Sequence, residues 1–152
     1  MPTVIDIVTI NTDASLCHEN KLATFAFWIR SNQFLLRGAQ QFKEYPNGST
    51  HAEIRGIINA MEILLNEVKK NDYIIKYVVV NCDNIGVGKH IMHGEYKKDF
   101  QRFVNILDKP KVSFKHVKSH TNEHSARSYV NRRLDTEARN LLRNLRSKKQ
   151  KQ

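Results

Sequence analysis

Cross-links and membrane-length apolar runs are both missing from this chain. It has two cysteines, Cys17 and Cys82. Two thiols make no disulfide framework, and each is expected to be a reduced, small hydrophobe in a cytoplasmic protein. No apolar run approaches the roughly 18 residues of a membrane-spanning helix, so no membrane partner is expected. The opening segment, MPTVIDIVTI, lacks a basic start, a long apolar core and a cleavage site, and is not expected to act as a signal peptide. No internal repeat is visible. Negative charge is scarce too, with 15 acidic residues against 25 Lys and Arg and a net charge of +10. A small basic protein draws polyanions through its whole field. That favours nucleic acid as partner over an acidic membrane surface.

What is present suffices for a core. The length of 152 residues suits one domain. At 40% hydrophobic, the chain can fold without staples. The domain is expected over 1–147 and a basic, disordered tail over 148–152, within the biased run RSKKQKQ that starts at Arg146.

Periodicity orders the elements. VIDIVTI (4–10) is β-branched and mostly apolar, as a strand buried on both faces requires. LATFAFWIR (22–30) and QFLLRGAQQF (33–42) follow across the short polar link Ser31-Asn32, which predicts a hairpin. EYPNGST (44–50) interrupts the pattern, and Ser49 or Thr50 can cap a helix start. From there to about Lys70, Ile54, Ile57, Ile58, Met61, Leu64, Leu65 and Val68 recur at three- and four-residue steps, an amphipathic helix. YIIKYVVVN (73–81) reads as a central strand parallel to the first. Helical stretches follow over 85–93 and 95–107, then a fifth strand VSFKHV (112–117), a polar loop, and a last helix over 129–146. The order βββαβα(α)βα implies an α/β fold with a mixed five-stranded sheet. In such sheets ligands bind beyond the carboxyl ends of the parallel strands.

Four carboxylates fall at that end. Asp13 stands three residues past Ile10 and Asp83 two past Asn81, so parallel neighbours would set them side by side. Glu53 shares a helix face with Ile57, Met61 and Leu64, and Asp135 shares one with Ala138, Leu142 and Leu145, so both point inward. Each has a bland explanation by itself: an Asp after a strand forms turns, a first-turn Glu complements a helix dipole, and Asp135 could pair with Arg132 or Arg139. Four such coincidences are a poor account. Converging carboxylates repel one another, and the usual remedy is divalent cations; Mg²⁺ takes oxygen ligands, a few from protein and the rest from water and phosphate. The pattern predicts metal-dependent phosphodiester chemistry.

The segments TINTDAS (9–15), THAEIRGIINAMEIL (50–64), VVVNCDN (78–84), HVKSH (116–120) and VNRRLDTEAR (130–139) resemble, in order and spacing, those of type 1 ribonuclease H over nearly the whole chain. The resemblance implies a ribonuclease H-like fold, with strands 1–3 antiparallel, strands 4 and 5 parallel to 1, and helices on both faces. It implies endonucleolytic cleavage of the RNA strand of an RNA–DNA hybrid by two Mg²⁺ ions about 4 Å apart, with Mn²⁺ as a substitute, leaving 3′-hydroxyl and 5′-phosphate ends. Asp13 would bridge both metals, Glu53 and Asp83 would hold the leaving-group metal, Asp135 would hold the nucleophile-side metal, and His120 would assist proton movement and product release. Ser15, Asn84 and Asn131 beside the acids, with Ser49 and Thr50, would touch substrate; the two hydroxyls can hydrogen-bond 2′-OH groups or phosphates. The stretch from His120 to Asp135 is longer than the family's, which makes His124 a rival for His120. The 85–107 region lacks a basic, Trp-rich handle, and Lys97, Lys98 and Arg102 would stand in for it. A monomer is expected.

Weaker signals point elsewhere or nowhere. His116, His120 and His124 recur every four residues, but strand and loop placement argues against zinc. Trp28 with Phe25 and Phe27 reads as core. Arg139, Arg143 and Arg146 share a helix face, expected to lie outward and away from Asp135 as a solvated surface or a backbone-binding stripe. Two other functions keep the fold. A junction resolvase would carry its Glu on a central strand, and a DEDD exonuclease an Asp-x-Glu pair on strand 1, where this chain has Asp13-Ala14-Ser15. A non-catalytic nucleic-acid-binding module would be expected to lack one of the acids.

Overall fold

The computed structural model describes residues 2–84, 86–116 and 126–150. Its five strands are β1 (Thr3–Cys17), β2 (Leu22–Arg30), β3 (Leu35–Gln41), β4 (Tyr73–Cys82) and β5 (Lys111–His116). Its helices are α1 (Ser49–Asn71), α2 (Val87–His93), α3 (Lys97–Ile106) and α4 (Ala126–Gln150). The strands form one sheet in the order β3-β2-β1-β4-β5. Pairing is antiparallel for β1–β2 and β2–β3, and parallel for β1–β4 and β4–β5. This is the expected mixed α/β sheet.

The two faces of β2 explain why its sequence is apolar throughout. Ala23, Phe25, Phe27 and Ile29 enter the main core with Val8, Ile10, Ile57, Met61 and Leu64, beneath α1. Ala26 and Trp28 pack with Leu134 and Ala138 of α4 on the other face. Trp28 is therefore core, as expected, with the Arg37 guanidinium 4.6 Å above its ring. Thr24 Oγ1 donates to the Ala138 carbonyl at 2.7 Å and ties α4 to β2. Each fully buried Ile or Leu contributes about 1.5–3 kcal/mol, so these two layers dominate the fold's stability.

Three boundaries differ from the sequence reading. β1 runs to Cys17 rather than Ile10, because Thr9–Cys17 pairs residue by residue with Arg30–Leu22; a partner strand holds the polar stretch NTDAS extended where composition suggests a turn. Helix α1 is capped at Gly48 with no side-chain hydrogen bond, so Ser49 and Thr50 are its first residues and not its cap. Gly48 has φ 111°, a conformation L side chains rarely adopt, and this is what brings glycine here. The last helix begins at Ala126 and continues through Gln150. The basic run beyond Arg146 is thus helical as far as it is described, and Lys149 Nζ donates to the Asn20 carbonyl at 2.6 Å.

Candidate active site

The sheet register puts the acids together. Antiparallel partners share a face, and Asn11, Asp13 and Ser15 stand opposite Trp28, Ala26 and Thr24. All three therefore face α4. Asn11 is level with Asn81 across the parallel pair, and Asp83 lies two residues further along the same chain. Asn81 Nδ2 donates to Asn11 Oδ1 at 2.7 Å, and Asn11 Nδ2 reaches the Trp28 carbonyl at 3.4 Å. This amide pair is 6% and 9% exposed and forms a buried polar rung immediately before the acids.

The β1–β4 pairing ends at Asn11↔Asn81. Asp13 sits two residues beyond it, inside β1 rather than after its end. Its side chain is half-buried and accepts from the Ala14 amide at 3.0 Å. Burial pushes its carboxyl up to about 7, and the charges of Asp135 and Asp83 push the same way. Residues 52 or more positions apart in sequence (135 − 83 = 52) thus arrive within one another's fields.

Glu53 comes from the opposite face. Helix α1 lies across the sheet from α4, and its first turn reaches the strand ends. Glu53 Oε1 accepts from the Asp83 amide at 2.9 Å. Its carboxyl is raised by burial and by the Asp83 charge, against the opposing pull of the Asp83 and Asn84 amides and of His116. The acids thus form two pairs, Asp13 with Asp135 and Glu53 with Asp83. Among the described residues, no three acids, histidines or cysteines close around one point to enclose a cation by themselves. That donor set suits Mg²⁺, which binds through one or two carboxylates and fills the rest of its shell with water and phosphate. It does not suit zinc, which wants four tightly placed protein ligands or three with one open position.

The other expected residues divide. Ser15 and Asn131 are half-buried on the acid-bearing face of β1 and on α4, one helical turn before Asp135. Asn84 is exposed and its Oδ1 accepts from the Gly86 amide at 2.9 Å. Ser49 and Thr50 are exposed at the start of α1. Lys97 and Lys98 are exposed on α3, but Arg102 is engaged by Glu62. His120 and His124 lie outside the described residues.

Two residues were misjudged. Arg139 was expected to face away from the site, yet its Nε lies 3.1 Å from Asp135 Oδ1. One turn of helix separates the two, and i,i+4 side chains are neighbours; of the two partners open to Asp135, Arg132 and Arg139, the structure pairs it with Arg139. His116 was set aside as a strand residue. Its Nε2 lies 2.9 Å from the Asp83 carbonyl, at the edge of the acid cluster. A histidine ending a strand beside an Asp-bearing strand end was the available signal. Cys82 is buried beneath these groups; burial, then Glu53 and Asp83, push its thiol up to about 12, so it stays protonated and unbridged.

The fold is that of ribonuclease H. A crystal structure of RNase H1 from the halophilic archaeon Halobacterium salinarum NRC-1 superposes with a TM-score of 0.61 at 15% identity, over 91% of this chain and 98% of that one. A crystal structure of LC11-RNase H1 in complex with RNA/DNA hybrid superposes with a TM-score of 0.60 at 17% identity, over 88% and 94%. No protein-family model matches the sequence, and no curated protein matches it. Among the described residues, no helix is long and apolar enough to cross a membrane.

Proposed function

We propose that this protein is an endoribonuclease that hydrolyses the RNA strand of RNA–DNA hybrids, leaving 3′-hydroxyl and 5′-phosphate ends. One observation carries the reading: four carboxylates from β1, α1, β4 and α4 meet beyond the parallel strand ends of a ribonuclease H fold. The hybrid bound to one of the similar structures supports the choice of substrate. The net charge of +10 supports a polyanionic one.

Mg²⁺ or Mn²⁺, when bound, would supply an activated water and stabilise the departing oxygen. The chain's own part is positioning. Asp13 and Asp135 would hold one cation, and Glu53 with Asp83, helped by Asp13, a second. Arg139 would neutralise Asp135 until a cation replaces it. Ser15, Asn84 and Asn131 border the acids and would orient the scissile phosphate and its sugar. Ser49, Thr50, Lys97 and Lys98 would meet the duplex further out. His120, or His124, would move a proton near the leaving group. Glu53 on a helix disfavours a junction resolvase, and the absence of an acid at Ser15 disfavours a DEDD exonuclease.

The test is gel analysis of end-labelled RNA–DNA hybrid, double-stranded RNA and double-stranded DNA with Mg²⁺, with and without EDTA. Hybrid RNA should be cut internally, and EDTA should abolish cutting. Binding of hybrid without cleavage at any Mg²⁺ or Mn²⁺ concentration would instead identify a non-catalytic module, and preferential cutting of duplex DNA a different nuclease.

A further inference from the structure

We infer that His116 is a positioning residue for the acid site, fixing the backbone of Asp83 and through it the carboxylate of Glu53. The inference rests on the metal-dependent reading above and concerns a residue that reading does not need. β4 and β5 run parallel, and their last paired rung is Cys82↔His116. Beyond that rung the His116 side chain continues the connection, with Nε2 2.9 Å from the Asp83 carbonyl oxygen. A carbonyl can only accept, so Nε2 carries the hydrogen and donates it.

The consequence is geometric. Asp83 has two soft backbone torsions, set by the two rigid peptide planes that flank its Cα. The plane before it is held by its N–H donating to Glu53 Oε1 at 2.9 Å. The plane after it is held by His116. With both planes pinned, φ and ψ are fixed, and so is the direction of the Asp83 Cβ. The same chain of contacts runs from β5 through Asp83 to α1, so the Glu53 carboxylate is oriented from β5 as well as by its own helix. Partners that orient ligands in this way cost about 10–100-fold in metal affinity or activity when removed.

The test compares wild type with His116→Phe, which keeps a ring and loses the donor, and His116→Gln, whose amide nitrogen can donate from a similar reach. Mg²⁺ binding is measured by titration calorimetry, and the Mg²⁺ concentration for half-maximal hybrid cleavage by gel assay. His116→Phe should bind Mg²⁺ about tenfold more weakly and need correspondingly more for cleavage. Its kcat at saturating Mg²⁺ and its KM for hybrid should stay near wild type. His116→Gln should recover most of the Mg²⁺ affinity. A purely structural role predicts a lower melting temperature with unchanged Mg²⁺ affinity; that result, or a Gln variant as weak as Phe, overturns the inference. His116→Ala repeats the comparison should the Phe variant fail to fold. If wild-type protein itself neither binds Mg²⁺ nor cuts hybrid, the functional reading falls and takes this one with it.

Discussion

At the scale of single residues, Asp13 is a heavily perturbed acid. Its carboxyl rises from 3.8 to about 7, through burial first and then through Asp135 and Asp83. The folded protein therefore holds a proton there that the unfolded chain has already released between about pH 4 and pH 7. Where the native state binds more protons, stability falls as pH rises. Metal-free protein should accordingly have a higher urea midpoint at pH 5 than at pH 8. Asp13→Asn removes the titrating group and keeps its shape. It should flatten that difference, raise the midpoint at pH 8 and abolish hybrid cleavage. An Asp13→Asn variant with the same pH slope as wild type would remove Asp13 as the origin of the strain. All four acids could be read from the sequence, because a carboxylate on an inward helix face or past a buried strand is a local contradiction. Arg139 was legible only as one of two possible partners of Asp135, and His116 was not read as part of the site. Their roles depend on which main-chain carbonyl or carboxylate the folded chain brings near, and no period encodes that.

At the scale of elements, the sequence located what local pattern governs. β2 lies at 22–30 as the apolar run LATFAFWIR before the polar Ser31-Asn32 link predicts, and α1 spans the full amphipathic run. The sequence was silent where a partner decides. β1 is longer than its apolar segment because β2 carries it, and α4 outruns its apolar stripe by a basic turn anchored at Asn20. Helix packing onto the sheet offers a sharp contrast between two glycines. A Cβ on Gly88 of α2 would lie 2.9 Å from Phe114 Cγ and 3.0 Å from its Cβ, atoms too near the backbone to swing aside. Overpacking of this kind costs about 1–3 kcal/mol, which exceeds the roughly 1 kcal/mol that alanine gains over glycine within a helix. A Cβ on Gly56 of α1 would meet its nearest neighbour, Phe25 Cβ, at an ordinary 3.5 Å. Gly88→Ala should therefore lower the urea midpoint and Gly56→Ala should raise it. Equal shifts of one sign would mean that propensity, and not the fit of α2 on β5, controls both.

At the scale of the whole molecule, composition and order were enough to name the architecture. Five strands, a right-sized apolar fraction and one βαβ crossover leave few ways to arrange a mixed sheet. Charge distribution was less legible. The net charge of +10 describes the far field, but several basic groups are spent internally: Arg37 on Glu137, Arg102 on Glu62 and Arg139 on Asp135. A count of lysines and arginines therefore overstates the cationic surface left for a polyanion. Pairing of this kind is invisible in composition and needs the packed elements to appear.

The Asn11–Asn81 rung has a further consequence, for how reliably copies of the chain fold alike. The buried positions of β1 and β4 are aliphatic, so sliding one strand past the other by two residues would keep every side chain on its face and set Ile10 against Val78 or Val8 against Val80, though it would part Lys76 from Asp6. Burial alone therefore discriminates weakly between the native alignment and its shifted neighbours. The amide pair supplies most of the discrimination, because any shift strands two buried amides, each at about 1–3 kcal/mol; the Asp6–Lys76 pair is exposed and adds little. It acts as a proofreading contact whose beneficiary lies two residues downstream, where Asp13 and Asp83 must come out level. Replacing both by valine should leave the chemical stability almost unchanged while admitting misaligned molecules. Their signature would be duplicated amide resonances along β4 and a lower cleavage rate per folded molecule; a single set of resonances at full rate would return the alignment to the aliphatic side chains alone.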